Sequence, residues 1–79
     1  MALSREDEVR RLGESDMHIA DSERRIMHQT ALVEELRRDG HDTTEGEKML
    51  AGFKDALETM RAHHALIVDA IRSIDAGLI

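Results

Sequence analysis

The chain has no cysteine, proline, tryptophan or tyrosine, and its only aromatic residue is Phe53. Without cysteine, the disulfide framework of small secreted folds is excluded. Without proline, the commonest helix breaker is missing. So few aromatic residues argue against a β-sandwich and leave helices as the expected class. No apolar run is long enough to cross a bilayer. The opening Met1-Ala2-Leu3-Ser4-Arg5-Glu6-Asp7-Glu8 also lacks the apolar core of a signal peptide. A soluble, cytoplasmic protein is therefore expected, with no membrane partner.

What the chain does have is charge. Charged residues make up 35% and hydrophobic ones 41% of 79 residues. Eleven basic and seventeen acidic residues leave a net charge of −6, which disfavours general binding to nucleic acid or anionic membranes. At this length residues 1–79 form one domain at most, burying only about 60% of the surface of the unfolded chain.

The strongest punctuation is Asp39-Gly40-His41-Asp42-Thr43-Thr44. Gly40 suits the left-handed position that ends a helix. Asp42, Thr43 or Thr44 can cap the next one, and Ser4 the first. The spacing predicts helix 1 over about 5–38, a turn at 39–43 and helix 2 over about 44–76. Gly13-Glu14-Ser15-Asp16 is where a break in helix 1 is expected, with Ser15 as an alternative cap.

In helix 2, Leu50, Phe53, Leu57, Met60, His64, Ile67, Ile71, Ile74 and Leu78 alternate spacings of three and four, a heptad seam whose polar member is His64. In helix 1, Leu12, Ile19, Ile26 and Val33 recur every seven residues beside Ser15, Ser22, Gln29 and Leu36. An antiparallel register pairing Leu36 with Leu50, Val33 with Phe53, Gln29 with Leu57, Ile26 with Met60 and Ser22 with His64 satisfies both helices. Two rods cannot cover their own apolar sides. The expected architecture is all-α: an antiparallel helical hairpin forming a four-helix bundle as a homodimer. Ile19, Ile26, Val33, Phe53, Leu57, Met60, Ile67 and Ile71 are the expected assembly interface. Ser22, Gln29 and His64 form a polar layer that sets register.

His18-Ile19, Arg25-Ile26 and Gln29, followed by Leu36, Gly40, Asp42-Thr43, Leu50, Phe53 and Leu57, resemble a family of small uncharacterised bacterial two-helix proteins. Its pattern runs H-I-x(5)-R-I-x-x-Q and then G-x-D-T-x-x-A. The match spans roughly His18 to His64 and departs at Gly46, where the pattern has alanine. The resemblance implies the hairpin. It carries no established chemistry and transfers no active site.

Candidate sites follow from the polar residues. His64 on an apolar seam is read as a register-setting polar layer, or as a switch whose protonation opposes assembly. A metal- or ligand-binding bundle would use His18, His28 or His63, but no two histidines stand three or four residues apart on one face. Arg10, Arg24 and Arg38, fourteen residues apart, could form the basic face of an RNA-binding hairpin dimer, by fold analogy with plasmid RNA-binding hairpins. Helix-supporting pairs Glu6–Arg10, Asp7–Arg11, Asp21–Arg25 and Glu34–Arg38 explain the same charges. No glycine-rich phosphate loop or nucleophile elbow is present. No catalytic residue, cofactor or metal ligand is expected. The function expected is that of a non-enzymatic assembly module that self-associates and serves a protein partner.

Overall fold

A computed structural model describes residues 4–79; Met1, Ala2 and Leu3, part of the start read above, lie outside the described residues. The chain forms two helices, α1 (Arg5–Arg38) and α2 (Thr44–Asp75), folded back on each other. The hairpin measures 59 × 18 × 15 Å, the size of two long rods side by side.

Each helix end has a local cause. The Ser4 hydroxyl accepts the backbone N–H of Asp7 at 3.4 Å, and Glu6, Asp7 and Glu8 in the first turn complement the helix dipole. At the other end His41 N–H donates to the Leu36 carbonyl and Gly40 N–H to that of Arg37, with Gly40 at φ 79°. That is a Schellman turn, and its left-handed residue is most easily a glycine. Of the three candidate caps for α2, Asp42 supplies the hydrogen bonds: its Oδ1 accepts the Thr44 N–H at 2.9 Å and the Thr44 hydroxyl at 2.6 Å. A second Schellman turn closes α2, with Gly77 N–H on Ile74 and Leu78 N–H on Ser73. Helix 2 therefore ends at Asp75 with Ala76 as its cap. The expected break at Gly13 does not occur; α1 runs unbroken through it. One glycine costs about 1 kcal/mol relative to alanine, too little to divide a 34-residue helix packed along its length.

The helices approach along a column of small and polar side chains. Glu8, Ser15, Ser22 and Gln29, each seven residues from the next, are buried, together with Val33 of α1 and Leu57 and Ile67 of α2. The apolar column Leu12, Ile19 and Ile26 is only half-buried. Ser15 and Ser22 admit α2 more closely than leucine or isoleucine would, so this column lies innermost along the middle of α1.

The register differs from the expected one. Gln29 Nε2 donates to the Gly46 carbonyl at 3.0 Å rather than packing on Leu57. Val33 lies against Gly46, where an added Cβ would sit 3.1 Å from Val33 Cγ2. His64 Nε2 stands 2.8 Å from Asp16 Oδ1, not beside the Ser22 hydroxyl. The hairpin turns about a tight five-residue connection, which draws the start of α2 nearer to α1 than the heptad pattern alone implied. Glycine at position 46 permits that approach.

Candidate interaction surface

The two edges of the hairpin, on either side of the buried column, differ in chemistry. One carries four cross-helix ion pairs: Arg5–Asp75 at 2.7 Å, Asp16–His64, Glu23–Arg61 at 3.4 Å and Arg37–Glu47. Asp16, Glu23 and Arg37 share one heptad position of α1, and Glu47, Arg61 and Asp75 share one of α2. Hydrogen bonding to Arg5, with its charge, outweighs desolvation and holds the Asp75 carboxyl below its ordinary range. The same contact raises the Arg5 guanidinium.

Along the opposite edge runs an open groove of about 390 Å³, lined by Arg11, Glu14, Ser15 and His18 of α1 and by Thr59, Met60 and His63 of α2. Glu14 and Asp16 flank Ser15, so they project about 100° to either side of the buried column. The groove thus lies on the edge away from the ion pairs.

The expected interface residues divide. Val33, Leu57 and Ile67 are already buried within one hairpin and hold its two helices together. Ile19, Ile26, Phe53, Met60 and Ile71 are half-buried and keep apolar surface toward solvent. In the expected polar layer, Ser22 and Gln29 are buried, but His64 keeps 29% of its side chain exposed. Its ring nitrogen Nε2 lies beside the Asp16 carboxylate, on the ion-paired edge.

Glu8 is the buried residue that sequence reasoning missed: 4% exposed, with Oε1 3.3 Å from Arg11 Nη1. Its place seven residues before Ser15 was the available signal. The surface pairs on α1 also differ from those expected. Arg10 pairs with Asp7, Arg11 with Glu8 and Arg24 with Asp21, all at i,i+3 instead of i,i+4. Of the Arg10, Arg24 and Arg38 column, two members are therefore engaged with their own helix.

The groove brings His18 and His63 to one place, while His28 is not among its lining. Among the described residues no group of three His, Asp or Glu side chains is arranged to hold a metal ion. No described helix is long and apolar enough to cross a membrane. No protein-family model, curated protein or solved structure matches the chain.

Proposed function

We propose that this protein is a non-enzymatic assembly module whose hairpin pairs with a second copy to complete a four-helix bundle. One observation carries the reading: among the described residues no large side chain of the single hairpin is fully buried, although both helices bear continuous apolar columns. Leu32, Met49 and Leu66 stay about half exposed or more, and Ile19, Ile26, Phe53, Met60 and Ile71 half-buried. Small scaffolds without disulfides or metals commonly seal such surface by oligomerising. A bundle of two hairpins covers the stripes of all four helices at once.

The hairpin is the working unit of this reading, and the outer faces of the bundle would serve a further protein partner. Sedimentation velocity on the full chain tests the reading. A species of twice the chain mass at micromolar concentration is expected. A folded particle of single-chain mass at every concentration overturns it.

A further inference from the structure

Resting on that self-association, we infer that the second copy docks on the groove edge, with its α1 antiparallel to the first α1 and the twofold axis passing near His63. Three observations lead there.

The first is the asymmetry of the edges. The ion-paired edge has its charges satisfied between its own helices. On the groove edge, the α2 column Met49, Ala56, His63 and Ala70 contains no formally charged residue at neutral pH. The adjoining column contains none from Gly52 through Thr59 and Leu66 to Ser73, its charged member Glu45 lying in the first turn of α2. In a chain that is 35% charged, such a strip over more than three heptads stands apart. A helix laid on it would desolvate no ion.

The second is side-chain size about one point. Ala56 and Ala70 lie seven residues before and after His63. A twofold axis at His63 sets Ala56 of one copy against Ala70 of the other, so two α2 helices can approach closely. The groove places His18 of α1 beside His63. The same axis must then cross α1 near His18.

The third is charge complementarity at that crossing. Glu14 lines the groove, and Arg25 repeats the heptad position of Arg11 and His18. Neither Glu14 nor Arg25 forms an ion pair among the described residues of one hairpin. With two α1 helices antiparallel about a point between His18 and Asp21, Glu14 faces Arg25 of the second copy. Symmetry forms that pair twice. The two pairs fix both orientation and register, as interfacial charges do in paired helices.

A charge exchange tests this. Glu14→Arg and Arg25→Glu are each expected to weaken the dimer at least tenfold by sedimentation equilibrium at low salt, while the double exchange restores it to within about threefold. Far-ultraviolet circular dichroism should keep its helical signal in all three, since both side chains are exposed. The cysteine-free chain permits a second readout: under oxidation, His63→Cys is expected to cross-link two copies. Lys54→Cys, at the heptad position of Glu47 and Arg61, is not. A dimer indifferent to the exchanges, or cross-linked through Lys54→Cys instead, overturns the docking edge and leaves self-association standing. A monomeric parent chain overturns both.

Discussion

The Gln29 side-chain amide donates to the backbone carbonyl of Gly46 at 3.0 Å, tying the third quarter of α1 to the first turn of α2. Gln29 is buried, and Gly46 lacks the side chain that would keep the helices apart there. This contact sets how tightly the hairpin closes next to its turn.

Replacing Gln29 by alanine removes that bond and leaves a gap on the inner column. A loss of about 1–2 kcal/mol is expected. Urea unfolding of the variant and parent, with comparable slopes, measures it. A change below a few tenths would show that the contact does not hold the register.

Glycine-to-alanine changes separate helix propensity from packing. At Gly13 an added Cβ meets nothing within 4 Å, so Gly13→Ala should stabilise by about 0.5–1 kcal/mol. At Gly46 the same methyl would stand 3.1 Å from Val33 Cγ2 and 3.5 Å from Gln29 Nε2. Buried Val33 has little room to give. Gly46→Ala should therefore fall short of the Gly13→Ala gain and lower the thermal midpoint relative to it. Equal gains at both positions would refute the close approach.

Gly40→Ala puts a Cβ on a residue at φ 79°. The left-handed penalty is about 1 kcal/mol, and the added Cβ meets nothing within 4 Å. The thermal midpoint should drop while the helical signal at low temperature is retained.

Acid should loosen the far end of the hairpin. Arg5 keeps the folded Asp75 carboxyl below its unfolded value. Its stabilisation is full above the ordinary carboxylate range and is lost as pH falls through the lowered folded value. Asp42 behaves likewise at the turn, held down by hydrogen bonds from the Thr44 hydroxyl and N–H. An Asp75→Asn variant should melt below the parent at neutral pH, and the two should converge in acid. Thermal midpoints from about pH 7 to pH 2 test this. A constant difference across that range would remove Asp75 as the source.

Several features of the fold are legible in the sequence alone. Gly40 announced the end of one helix and the Asp42-Thr43-Thr44 run the start of the next, because each acts on backbone groups within a few residues. The seven-residue repeat of Ser15, Ser22 and Gln29 marked a column at which helices meet. It could not show that this column lies deeper than Leu12, Ile19 and Ile26. That depends on how closely two backbones approach, and Gly46 sets the approach from the other helix. The surface ion pairs were foreseen in kind but not in partner, since aspartate and glutamate reach i+3 and i+4 arginines with nearly equal ease.

The sequence by itself determined two helices, the cap of the first and a hairpin connection, because capping, glycine geometry and heptad spacing are local. Only the tertiary structure decided that His64 faces Asp16, that Glu8 is buried and that the ion pairs gather on one edge. Those outcomes depend on the relative rotation and height of two rods. A shift of a single turn exchanges every partner across the seam while leaving the pattern within each helix unchanged.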